Sequence, residues 1–102
     1  MNITIVELPE FIHTHLLSFL ATHPTAGILI QGAGGVRKIR WATGNKGKSG
    51  STRVIYFYHN PYMPLFLLTA FSKSERENLS RAERNELAGL TKLLAQNYGR
   101  KT

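Results

Sequence analysis

Alternating and periodic apolar positions divide the first quarter of the chain into two predicted elements. Residues 2–7 (NITIVE) alternate β-branched and polar side chains, which predicts a strand. Apolar residues between positions 12 and 20 then recur at helical spacing. Pro9 suits the first turn of this helix, and Pro24 lies just beyond its expected end.

The middle of the chain reads as three further strands separated by turns. They are residues 36–42 (VRKIRWA), 53–59 (RVIYFYH) and 65–71 (LFLLTAF). The last of them is almost continuously apolar, which predicts a central strand covered on both faces. Residues 28–31 form only a short apolar run before a glycine-rich turn, and residues 43–51 form a polar Gly/Lys/Ser loop.

The last third of the chain changes to helical periodicity. Ser80 with Glu83 is a capping-box pattern, and Gly99 marks the expected helix end. Leucines between these points repeat at three and four residues: Leu87, Leu90 and Leu94. The predicted order of strand, helix, three strands and helix indicates a single α+β domain over residues 1–102, with a mostly antiparallel sheet.

Charge is distributed very unevenly along this pattern. The formal net charge is +7, Asp is absent, and Glu10 and Glu75 are consecutive acids. Seven bases lie between these two glutamates, and the rest of the chain has six bases and six acids. A charge excess of this kind concerns partners rather than fold, and it predicts a polyanion as the partner.

Composition excludes several functional classes. A hydrophobic share of 42% indicates a globular chain, and the absence of Cys excludes disulfides, thiolate metal sites and thiol nucleophiles. No apolar run has the length of a membrane span, and residues 1–15 lack the features of a secretory signal. We therefore expect a cytoplasmic protein.

Two familiar site types fit the sequence poorly. Residues 42–49 (ATGNKGKS) match a loose phosphate-loop pattern, but the next segment is strand-like, and no carboxylate lies near to hold magnesium. The four histidines have neither ligand spacing nor nearby carboxylates, so we predict no metal and no cofactor.

The bases of the predicted strands have a more specific arrangement. In a strand, Lys38 and Arg40 point to one face while Arg37 points to the other. If the second and third strands pair as an antiparallel hairpin, Arg53 starts the partner strand just across the loop from Arg40, and the loop lies over the same region. Interleaved aromatic residues belong mostly to the core, although an exposed one is suited to stacking on bases. The lysines expected to join this surface are Lys46, Lys48 and Lys73.

Several segments in fixed order also resemble the RelE/ParE toxin superfamily, and most of all its HigB-type members. They are IQGAGGVRKIRWA, GKSG, TRVIYFY and LLTAFSKSERENLS, followed by a C-terminal helix. The resemblance covers roughly residues 24 to 95 and implies a microbial ribonuclease-like fold, a twisted antiparallel sheet flanked by helices. It implies a toxin that cleaves mRNA in the ribosomal decoding site without a metal and is neutralised by an antitoxin, here expected to be of the helix-turn-helix type.

The resemblance also implies roles for individual residues. Arg40 and Arg53 are expected to hold the scissile phosphate, and Lys48 or Lys73 to transfer protons. The residues expected to bind the RNA backbone are Arg37, Lys38, Lys46 and Arg76. Two alternatives remain open from the sequence: a ParE-like inhibitor of DNA gyrase, and an RNA- or ribosome-binding module without catalysis.

Overall fold

The computed structural model describes residues 10–42 and 51–99. The elements in chain order are α1 (Glu10–Thr22), β1 (Ile28–Leu29), β2 (Val36–Ala42), β3 (Ser51–Phe57), β4 (Phe66–Ser72) and α2 (Arg81–Gly99). The predicted strand at residues 2–7, Pro9, and the predicted loop up to residue 50 lie outside the described residues. Both predicted helices and the three predicted middle strands are present; β2 has its predicted ends, and the ends of β3 and β4 are shifted by two residues and one residue.

The four strands form one antiparallel sheet in the order β1-β2-β3-β4. Ile28 and Leu29 pair with β2 as a two-residue strand, although the sequence predicted only a short apolar run there. β3 lies between β2 and β4, and the consecutive side chains from Val54 to Phe57 are all buried. The predicted α+β class with an antiparallel sheet is confirmed.

β4 differs from its prediction in one respect. It lies at the end of the described sheet instead of at its centre, although apolar side chains on both of its faces contact the core. Its register with β3 shifts between Ile55 and Tyr56, because Leu68 has no partner across the ladder. This bulge lets Leu68 and Phe71 both reach the same apolar cluster.

A helix covers each face of the sheet. Leu16 and Leu20 of α1 pack against Val54 and Tyr56 on one face. On the other, Leu87 of α2 packs with a cluster that includes Val36, Ile55 and Phe57. Because side chains alternate along a strand, each residue of the β2–β3 hairpin belongs to either the α1 face or the α2 face.

The turn between β1 and β2 holds α2 close to the sheet. Gly32, Gly34 and Gly35 all have positive φ, a conformation that favours glycine. A Cβ atom at Gly34 would also overlap Thr91 and Ala88 of α2. The predicted turn is therefore confirmed, and at Gly34 it requires glycine for two reasons.

The N-terminus of α2 has the predicted capping box. The Ser80 hydroxyl accepts a hydrogen bond from the Glu83 N–H at 3.1 Å, and the Glu83 carboxylate accepts one from the Ser80 N–H at 2.8 Å. The second bond is the main cause of a lowered pKa at Glu83. Neither helix of the described residues is long and apolar enough to cross a bilayer.

Candidate functional site

Strand alternation gathers predicted site residues on one end of the α2 face. Lys38 and Arg40 share a face of β2 with the buried Val36, and Arg53 shares a face of β3 with Ile55. Arg40 and Arg53 are directly opposed in the register of β2 and β3. Like charges placed opposite each other destabilise a sheet, so this arrangement favours an anion between or above them.

The two ends of the α2 face are covered differently. Near Val36 and Phe57 the face is buried in the cluster that contains α2 residues. Around Arg40 and Arg53 it is reached instead by the connecting segment, which we define as residues 73–80 between β4 and α2. We call this end the cationic face, and its basic residues are Lys38, Arg40, Arg53, Lys73 and Arg76.

Arg53 is the most deeply placed residue of the cationic face. It is only 2% exposed, and its Nη2 donates a hydrogen bond to Oε2 of Glu77 at 2.8 Å. Its Nε and Nη1 are buried and have no hydrogen-bond partner among residues 10–42 and 51–99. A guanidinium stays charged in proteins, and leaving a buried donor unpaired costs roughly 1–3 kcal/mol. These two donors are shielded from solvent, so a ligand can pair with them only if neighbouring side chains move.

Glu77 brings a carboxylate to the cationic face. It lies 2.8 Å from Arg53 and 4.0 Å from Arg40, and its side chain is 54% exposed. The hydrogen bond from Arg53 is the main cause of a lowered pKa at Glu77, with further lowering by the charges of Arg53, Lys73 and Arg40. An ionised carboxylate consequently occupies the site at neutral pH.

Sequence reasoning did not give Glu77 a role. Glu77 lies in the segment SKSERENLS, which supported the family resemblance. Its place in that segment was the signal that could have identified it. Its contact with Arg53 joins positions 24 residues apart, which no local pattern predicts.

The remaining cations surround this centre. Lys38 Nζ donates a hydrogen bond to Asn78 Oδ1 at 2.6 Å. Arg76 lies over the Phe71 ring, 4.5 Å from its centroid, and its Nη1 donates to Glu83 at 2.6 Å. Lys73 is exposed directly after β4. The structure thus places Lys38, Arg40 and Arg53 on one face, with Lys73 and Arg76 on the adjoining connecting segment, and the roles assigned to them stay predictions.

Arg37 does not join the cationic face, and its assignment to RNA binding stays a prediction. It points to the α1 face, where Nη1 donates hydrogen bonds to the Gly27 carbonyl at 2.7 Å and the Thr25 carbonyl at 3.2 Å. The reason is the two-residue period of β2, which places Arg37 and Lys38 on opposite faces. These bonds tie the chain before β1 to the sheet.

The remaining sequence predictions concern two loop lysines, metal ligands and the interleaved aromatic residues. Lys46 and Lys48 lie outside the described residues, so their assignments stay predictions. No cluster of three metal-ligating side chains occurs within the described ranges. Of the interleaved aromatic residues, Tyr56 and Phe57 are buried, whereas Tyr62 is 92% exposed.

The arrangement has the parts for chemistry on a phosphodiester. Two opposed guanidiniums suit a phosphate, because arginine binds its oxygens through paired N–H donors. Arginine cannot accept a proton in practice, so proton transfer would fall to a lysine or to the Glu77 carboxylate.

A model of the protein family described as the RelE toxin of the RelE / RelB toxin-antitoxin system matches residues 27–101. The match covers well over half of the 102-residue chain, and the chain therefore belongs to the RelE toxin family. It includes all four described strands, α2 and the whole cationic face. The resemblance to the RelE/ParE superfamily is confirmed, and the family implies an antitoxin partner. The HigB-type assignment stays a prediction.

Proposed function

We propose that this toxin is a metal-independent endoribonuclease of the HigB type that cuts mRNA in the ribosomal decoding site and so stops translation. One observation carries the proposal: Arg40 and Arg53 face each other on a cation-rich sheet, and two donors of buried Arg53 lack a partner among the described residues. In the proposed complex the side chains over Arg53 move aside, and a scissile phosphate supplies the missing acceptors. Membership of the RelE toxin family supports this assignment.

In the proposed reaction the ribose 2′-oxygen attacks the adjacent phosphorus and the bond to the 5′-oxygen breaks. Arg40 and Arg53 hold the phosphate and stabilise the extra negative charge of the transition state. A base takes the 2′-hydroxyl proton, and an acid supplies a proton to the leaving 5′-oxygen. We assign one of these steps to Lys73 or Lys48.

Glu77 must respond when the phosphate binds. Arg53 is almost fully buried, and the Glu77 carboxylate already accepts a hydrogen bond from its Nη2. Two anions on one guanidinium repel each other, so the incoming phosphate either displaces Glu77 or raises its affinity for a proton. In the second case Glu77 becomes a group that can take the 2′-hydroxyl proton.

The rest of the cationic face supports the RNA strand. Lys38 and Arg76 each have hydrogen-bond partners that a phosphate can replace or share. Lys38 lies two residues from Arg40 on β2, and Arg76 lies over Phe71, which is opposite Arg53 in the sheet. Basic side chains of this kind position a nucleic acid without reading its sequence. Cutting in the decoding site places the toxin in the cytoplasm, where we expect the helix-turn-helix antitoxin to neutralise it.

The decisive experiment adds purified toxin to cell-free translation and maps mRNA ends, with and without ribosomes. The proposal expects cuts in phase with codons that require ribosomes and are lost in Lys73→Ala or in Lys48→Ala. Lys92→Ala removes an equal charge from an exposed position on α2 and is the matched control. Blocked supercoiling in a gyrase assay would indicate the ParE-like function instead. Ribosome binding without cuts would indicate a non-catalytic module.

A further inference from the structure

A cavity of about 480 Å³ opens beside the cationic face. It lies between the β1–β2 turn, the connecting segment and the first two turns of α2. Its volume is within the range of pockets that hold small organic ligands. Its lining includes Gln31, Asn78, Leu79, Arg81, Arg84 and Asn85.

The cavity is continuous with the proposed cutting site. Asn78 lines the cavity, and its Oδ1 accepts the hydrogen bond from Lys38 of the cationic face. The residue before it, Glu77, contacts both Arg53 and Arg40. An RNA strand with one phosphate on the arginine pair therefore has the cavity next to it.

The lining has the chemistry of a nucleotide site. Arg81 and Arg84 bring two positive charges, and no carboxylate lines the cavity. Arg84 donates through Nη1 to the Leu79 carbonyl at 3.0 Å, which fixes its guanidinium at the wall. Guanidiniums bind phosphate through their paired N–H groups.

Three side-chain amides complete the lining: Gln31, Asn78 and Asn85. An amide offers both donors and an acceptor, as the edge of a nucleobase does. Since Lys38 occupies Oδ1 of Asn78, the Nδ2 group of that amide is left to donate to a ligand. RNA recognition commonly reads unstacked bases in this way.

We infer that this cavity binds the nucleotide next to the scissile phosphate and that its amides select the base there. The inference rests on the proposed ribonuclease function and deepens it. Arg81 and Arg84 hold the phosphate of that nucleotide, and Gln31 and Asn85 contact the base. The cavity thus contributes to the choice of the cut sequence, and the Arg40–Arg53 pair contributes to the cut itself.

The test maps cleavage sites of Gln31→Ala and Asn85→Ala across an mRNA library in cell-free translation. Each loses a base contact, so the relative preference among nucleotides beside the cut should change by about tenfold while cutting continues. Asn97→Ala, also an exposed asparagine of α2 but outside the cavity lining, is the matched control and should keep the wild-type profile. Alanine is a better helix former than asparagine, so both α2 variants should fold.

The outcomes separate this inference from the function on which it rests. Wild-type toxin that makes no cuts overturns the proposed function. Wild-type cuts with an unchanged profile in both cavity variants overturn the nucleotide site alone. Weaker antitoxin binding in these variants, with an unchanged profile, would assign the cavity to the protein partner and also overturn the site. Circular dichroism of each variant establishes that it is folded.

Discussion

The two faces of the β2–β3 hairpin carry similar polar residues, but these residues have different hydrogen-bond partners. On the α1 face, Arg37 donates to two backbone carbonyls, and the Tyr56 hydroxyl accepts from the Gly27 N–H at 2.9 Å and donates to the Pro24 carbonyl at 2.7 Å. On the α2 face, Arg53 is buried like Tyr56, but it makes one side-chain hydrogen bond among the described residues, to an exposed glutamate.

The difference teaches that the hydrogen-bond acceptors around a polar side chain distinguish a structural role from a ligand-binding one. The α1 face satisfies its polar groups within the protein, and this holds the chain before β1 against the sheet. On the cationic face, the buried guanidinium of Arg53 keeps donors without an internal acceptor among the described residues. Satisfied groups stabilise the fold, and unsatisfied ones are suited to a ligand.

The largest expected effect follows from Arg53→Leu. Cutting should fall by about 100-fold or more, because a transition-state donor is lost. Folding should survive, because the partner left behind, the Glu77 carboxylate, is 54% exposed, so no uncompensated buried charge remains. Mapped mRNA ends measure cutting, and thermal unfolding measures stability.

The matched control is Arg37→Leu, which removes the same charge from the α1 face. This variant should cut normally at temperatures where it is folded. Equal loss of cutting in both variants would contradict the comparison.

The opposite result is expected for Tyr56→Phe on the α1 face. The phenol makes two hydrogen bonds to backbone groups, and its burial raises its pKa, so it remains a donor at neutral pH. Its loss leaves the Gly27 N–H without that acceptor, which should lower the free energy of unfolding by about 1–3 kcal/mol. Chemical denaturation measures this change. A simultaneous loss of cutting by folded protein would mean that the two faces are not independent.

A smaller effect separates the neighbours Lys38 and Arg37 in RNA binding. Lys38→Ala should reduce the salt dependence of binding to a non-cleavable RNA by about one phosphate contact, because its charge lies on the cationic face. Arg37→Gln should leave that dependence unchanged. Binding titrations at several salt concentrations measure both slopes. Identical slopes for the two variants would place both side chains, or neither, against the RNA.

The smallest expected effect concerns pH and Glu77. Its pKa is lowered in the folded state, so its ionised form contributes stability above the unfolded pKa, about 4.3, and this is lost as pH falls through the folded pKa. Glu77→Gln should therefore be less stable than wild type at neutral pH, with the difference disappearing in acid. Denaturation at a series of pH values measures it. A difference that grows in acid would contradict the assigned contact with Arg53.

Local patterns predicted much of the fold. Apolar periodicity located both helices and the three longer strands, and the pair Ser80 and Glu83 predicted the cap of α2. The short β1 strand was missed because two residues are too few for a periodic signal. The central position expected for β4 was not found in the described sheet, since an apolar run reports burial of both faces but not the order of strands.

The sequence by itself determined where the cations are concentrated and, through the two-residue period of a strand, that Arg37 and Arg40 must lie on opposite faces. Only the tertiary structure decided which face has internal acceptors. Carbonyls of the chain before β1 reach Arg37, whereas the connecting segment brings a single carboxylate, Glu77, to Arg53. These partners are distant in sequence, and hydrogen bonding depends on distances that only the packed chain sets.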